Sequence, residues 1–95
     1  MTKTIWKHLL KVADFQYVKL PKGSKILTAQ NQYEYIYIWA IVNPKESERV
    51  DVPIWVYRTG DPIADFNIDK KHYINTVLLS SGKLCFHVFT NLECV

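Results

Sequence analysis

Tyr35-Ile36-Tyr37-Ile38-Trp39-Ala40-Ile41-Val42, closed by Asn43-Pro44, is the longest uninterrupted run of apolar and aromatic side chains in the chain. It is too short for a helix of ordinary length, it is rich in β-branched and tyrosine residues, and both of its alternating faces are apolar. The run predicts a strand buried on both sides. Such a strand needs a neighbour along each edge, and the surrounding chain has to supply them.

Downstream, Val50, Val52, Ile54 and Val56 alternate with Asp51, Pro53, Trp55 and Tyr57, the clearest period-two pattern in the sequence. Proline cannot donate a ladder hydrogen bond, so Pro53 predicts that this strand lies at an edge or carries a bulge. Arg58-Thr59-Gly60-Asp61-Pro62 ends the strand in a tight loop, and the weak pattern over 63–71 leaves room for one helical turn. Residues 73–79 and 84–90 read as strands joined by Ser80-Ser81-Gly82-Lys83, a glycine-containing hairpin signal.

Upstream, polar residues 31–34 form a hairpin loop that makes 24–30 an antiparallel neighbour of the central run. Within 24–30, alternation puts Ile26 and Thr28 on one face and Leu27 and Ala29 on the other. Pro21-Lys22-Gly23 is a turn, and 15–20 is extended. Residues 2–12 fit a helix by the spacing of Ile5, Leu9 and Val12, and a strand by the alternation of Trp6, His8 and Leu10. Periodicity leaves both open.

The fold class that follows is mostly β: a compact single-domain sandwich or small barrel over residues 1–95, of six or seven mainly antiparallel strands with at most one short helix. Its expected core is Ile36, Ile38, Ala40, Val42, Val52, Ile54, Val56, Val77, Leu79, Leu84, Phe86 and Val88. A chain of 95 residues that is 48% hydrophobic and 14% aromatic can build that core without a metal or disulfide. Cys85 and Cys94 are expected to be reduced. No segment reaches the roughly 18 apolar residues of a membrane span, and the expectation is a soluble protein.

The net charge of +3 is unevenly spread. Lys3, Lys7, Lys11, Lys19, Lys22 and Lys25 stand against Asp14 in the first 25 residues, whereas acidic residues predominate over 26–69. A basic block of this kind either tracks phosphates or keeps an edge strand soluble.

Several stretches recur in order in a family of short phage and prophage proteins: Ile5-Trp6-Lys7, Leu20-Pro21-Lys22-Gly23-Ser24-Lys25-Ile26-Leu27, Trp39-Ala40-Ile41-Val42-Asn43-Pro44, Thr59-Gly60-Asp61-Pro62-Ile63 and Phe86-His87-Val88-Phe89. The chain resembles that family, a domain of unknown function, along nearly its whole length. The resemblance favours a strand at the N-terminus and implies a phage gene product in the cytoplasm of a bacterial host. It implies no reaction. Family members commonly carry histidine where Asp61 stands, and a shorter polar run at 33–35.

The chemistry-bearing residues point to binding rather than catalysis. His8, His72 and His87 lack metal-ligand spacing, and Gly23, Gly60 and Gly82 occupy turn positions rather than a phosphate loop. Asp61, Asp65 and Asp69 share a helix face only if that region is helical, which Asp61-Pro62 opposes. Neither an enzyme nor a cofactor is expected. The strongest constellation is Tyr37, Trp39, Trp55 and Tyr57, which share one sheet face if their strands are neighbours, with Arg58, Thr59, Gly60 and Asp61 at a strand end. The expected partner is a host protein or a small anionic ligand held by Arg58 and stacking rings. A nucleic acid held by the lysine block is the second reading, and homodimerisation through exposed edges accompanies either.

Overall fold

Seven strands run through the residues that the computed structural model describes, 2–64 and 67–91: β1 (Thr4–Leu9), β2 (Phe15–Pro21), β3 (Lys25–Gln32), β4 (Tyr35–Val42), β5 (Arg49–Arg58), β6 (His72–Leu79) and β7 (Leu84–Thr90). Short 3-10 turns occupy Ile68–Lys70 and Ser80–Gly82. The strands form a three-stranded sheet ordered β1-β4-β3 and a four-stranded sheet ordered β2-β5-β7-β6, with every pair antiparallel. The fold is mostly β as expected, the two sheets make it the sandwich rather than the barrel of the two expected architectures, and the N-terminal stretch is a strand. The helical spacing of Ile5, Leu9 and Val12 was coincidental, because all three side chains are exposed.

Alternation decides what each sheet buries. In β4, Ile36, Ile38, Ala40 and Val42 point inward and are almost wholly buried, while Tyr35, Tyr37, Trp39 and Ile41 point outward. The central run is therefore buried on one side only. Its neighbours β1 and β3 fill both edges, but no other described strand covers its outer face. Inward rows alternate large and small side chains, as in Trp6–Ala40–Ile26 across β1, β4 and β3. From the facing sheet come Val18 and Leu20, then Val52, Ile54 and Val56, then Phe86 and Val88, then Val77 and Leu79. Eleven of the twelve expected core residues are buried, and Leu84 packs against the core from a half-buried position at the sandwich end. Leu10, Val18, Leu20, Ile26 and Ala29 complete the core.

Two local features differ from the sequence reading. A register shift between Ile26 and Thr28 makes Leu27 an extra residue, so Ile26 and Ala29 are both buried and strict alternation fails in β3. Pro53 lies in an interior strand, between β2 and β7. Its carbonyl accepts from the Thr90 hydroxyl at 2.8 Å, so the side of the backbone that lacks a donor faces the point where β7 pairing ends, at Ile54–Thr90. Proline is tolerated there because no ladder acceptor is left waiting.

The two flanks of the sandwich are unlike. On one, β3 and β6 run close together, bridged by Asn75 Nδ2 donating to the Ala29 carbonyl (2.8 Å), Asn31 Nδ2 to the Leu78 carbonyl (2.9 Å) and the Ser80 amide to Glu34 Oε2 (2.7 Å). On the other, edge strands β1 and β2 lie apart. The 33–34 turn that carries Glu34 is a two-residue hairpin with Tyr33 and Glu34 both at positive φ, 55° and 67°. That is the conformation whose twist matches antiparallel strands, here adopted without glycine.

Candidate functional site

Tyr37 and Trp39 project from the outer face of the three-stranded sheet, whereas Trp55 and Tyr57 project from the outer face of the four-stranded sheet. The four rings do not share a face. β4 and β5 are the central strands of opposite sheets, so their outward side chains point in opposite directions. The rings are not core either, since each is only half-buried.

On the four-stranded sheet, pairing register assembles a different aromatic group. Phe15 stands opposite Trp55, Trp55 opposite Phe89, and Phe89 opposite Tyr73, so one ring from each of β2, β5, β7 and β6 lies in a single row across the sheet. Ring centroids are 5.1 Å apart for Phe15–Trp55 and 5.5 Å for Tyr73–Phe89. Tyr17 and Tyr57 extend the cluster through edge contacts with Phe15 and Phe89, at 4.9 and 6.1 Å. Strands β5 and β6 are parallel to each other because β7 lies antiparallel between them. Lys71, immediately before β6, places its Nζ 3.9 Å from the centre of the Trp55 ring.

Beside this row, His87 is held at both ring nitrogens. The Thr59 hydroxyl lies 2.6 Å from Nε2, and the Thr76 hydroxyl lies 2.9 Å from Nδ1 and 2.5 Å from the Tyr73 hydroxyl. Hydroxyls donate or accept, so either tautomer is satisfied. His87 sits as a hydrogen-bonded residue on the sheet surface, and no cluster of metal-ligating side chains occurs among the described residues.

Arg58, Thr59, Gly60 and Asp61 form a turn closed by the Asp61 amide donating to the Arg58 carbonyl at 3.1 Å, with Gly60 at φ 91°. Arg58 has the inward parity of Val56, opposite to Trp55 and Tyr57, so it is not brought together with stacking rings. Its Nη2 meets Asp61 Oδ1 at 3.4 Å, a long contact between side chains that are 55% and 44% exposed. Both side chains line two adjoining hollows at the end of the sandwich. The inner, about 390 Å³, is floored by Val56, Leu79, Leu84 and Phe86 and faces Asp14, while the outer, about 560 Å³, lies between the 58–61 and 80–83 turns. Asp65, part of the expected acidic series, lies outside the described residues, as does Cys94.

The lysines of the N-terminal block are dispersed. Lys19 pairs with Asp51 at 2.8 Å and Lys22 with Glu48 at 3.3 Å, while Lys7 lies over the Tyr37 ring on the opposite sheet and donates to Gln32 Oε1.

Sequence reasoning missed Phe15, Tyr73, Phe89 and Lys71 as site residues. The outward parity of Phe89, opposite to buried Phe86 and Val88, was a legible signal, but which rings meet depends on register between strands distant in sequence. A family model described as a domain of unknown function (DUF7352) matches residues 1–93. No curated protein and no solved structure matches the chain.

Proposed function

We propose that this chain, which belongs to the DUF7352 family of unknown function, is a non-catalytic binding module that engages a partner protein through the outer face of its four-stranded sheet. The observation that carries the reading is the ring row Phe15–Trp55–Phe89–Tyr73, contributed by all four strands and crossed by Lys71. Tryptophan and tyrosine on a rigid sheet offer large contact area at little entropic cost, which is why such residues dominate protein–protein interfaces. The resemblance to phage and prophage proteins supports a partner in the cytoplasm of a bacterial host, with occupation of a host factor, including one that serves defence, as the consequence.

Binding of single-stranded nucleic acid is less well supported. Base stacking needs open ring faces. Here the rings tilt against one another, and Lys71 covers one face of Trp55.

Affinity capture from bacterial lysate tests the proposal by comparing wild type with two double variants. Phe15→Ser with Tyr17→Ser alters the proposed face, and Ile5→Ser with Leu9→Ser alters the opposite one; all four side chains are between 43% and 63% exposed, so both variants should fold. The expected result is a specific co-purifying protein retained by wild type and the opposite-face variant, and lost from the first. Retention by the Phe15/Tyr17 variant, or equal loss from both, would reject this face.

A further inference from the structure

We propose that the end of the sandwich beside the 58–61 turn is a binding site for a small amphipathic carboxylate, an anionic head on an aromatic or branched apolar body. This site is separate from the aromatic face, and the two stand or fall independently.

The apolar half is the uncapped end of the core. Val56, Leu79, Leu84 and Phe86 floor a hollow of about 390 Å³, within the range of small-ligand sites. The charged half is the adjoining hollow, whose wall includes Arg58 from one turn and Lys83 from another. The two hollows adjoin, sharing Arg58, Asp61 and Leu84 in their linings. The distribution of charge sets the orientation of the ligand: Arg58 and Asp61 line both hollows, but Asp14 lines only the inner one and Lys83 only the outer, so the carboxylate belongs in the outer hollow and the apolar body over Leu84 and Phe86.

Asp61 is the internal competitor for Arg58. At 3.4 Å and with both side chains about half exposed, that ion pair is of the weak surface kind. A carboxylate that also meets Lys83 can displace it, because a guanidinium accepts a bidentate partner better than a single distant oxygen. The Thr59 amide and hydroxyl are already committed, to the Cys85 carbonyl and His87 Nε2, so specificity for the head rests on the two cations. Nothing lies within 4 Å of where a Cβ on Gly60 would stand, so the rim of the outer hollow is open to entry.

The test is titration of 4-phenylbutyrate into isotopically labelled protein, following backbone amide shifts, with 4-phenylbutyramide and inorganic phosphate as comparison probes. Saturable shifts are expected at Thr59, Gly60, Lys83 and Leu84. The neutral amide should bind roughly tenfold more weakly, the loss expected for removing one charge-assisted hydrogen bond. Arg58→Gln should weaken the acid to a similar degree and leave the amide unchanged. Asp61→Asn should strengthen it by releasing Arg58. Equal binding of acid and amide, phosphate binding as tight as the acid, or no saturable shift at these residues up to roughly 10 mM, the weak end of specific recognition, would each overturn the proposal.

Discussion

At the scale of single residues, His8 shows how the sandwich handles a polar group on a core-facing position. It alternates with Trp6 on the inner side of β1, stands opposite Ile38, and its Nε2 is buried without a hydrogen-bond partner among the described residues. Burial strips water from the charged form, so its pKa is lowered from the usual 6.5. The folded chain therefore resists a proton that the unfolded chain accepts once the pH falls below about 6.5. Stability from this group is fully present above that value and declines as the solution is acidified toward the lowered pKa. Urea unfolding between about pH 5 and 8 should show this decline in wild type, and a smaller one in His8→Phe, which cannot take up the proton. An identical pH profile in the variant would mean that His8 is hydrated when folded. His8 was legible in the sequence as an alternating residue, but its solvation was not, because that depends on Ile38 from a strand 30 positions away.

At the scale of elements, the flank between β3 and β6 is held by side chains reaching backbone rather than by a ladder. Asn75 carries the most enclosed of these links, donating to the Ala29 carbonyl at 2.8 Å and lying 3.3 Å from the Thr28 hydroxyl. Asn75→Leu removes the donors while keeping similar bulk, and leaves a part-buried carbonyl without its partner. The expected cost is about 1–3 kcal/mol, read from denaturant midpoints, with faster amide exchange along β3 and β6 than in β1. An unchanged midpoint would show that packing alone holds the flank. β6 was predicted from its apolar residues, and its hairpin with β7 from Gly82. The role of Asn75 was hidden because a register shift between Tyr73 and Asn75 turns it from the outward row toward β3.

At the scale of the whole molecule, charge that is clustered in sequence is spread in space. Lys19 and Lys22 pair with Asp51 and Glu48, and Lys7 belongs to the opposite sheet. The lysine block is thus divided between the two sheets and two of its members are partnered by carboxylates, which leaves fewer cations on one face for counterion release. Fluorescence anisotropy with single- and double-stranded oligonucleotides at about 150 mM salt should show only weak, non-specific binding, typically 100 μM to 1 μM or weaker. A sub-micromolar complex whose salt dependence flattens on removing Lys3, Lys7 and Lys11 would make the lysine block a phosphate-binding surface after all.

Local sequence was sufficient for every strand but β1, for the hairpins and for eleven of the sixteen described core residues, because alternation and turn chemistry act between residues close in the chain. Ile36, Ile38, Ala40 and Val42 declare an inward face wherever β4 is placed. Local sequence could not say which strands share a sheet. Tyr37 and Trp39 looked like companions of Trp55 and Tyr57, yet the 43–48 connection carries the chain from one sheet to the other and turns the two pairs of rings to opposite sides of the molecule. The row Phe15–Trp55–Phe89–Tyr73, and the hollow that Arg58 and Lys83 both line, exist only because of register and strand order. Those depend on the free energy of burying two sheets against each other, a property of the whole chain that no short stretch of it encodes.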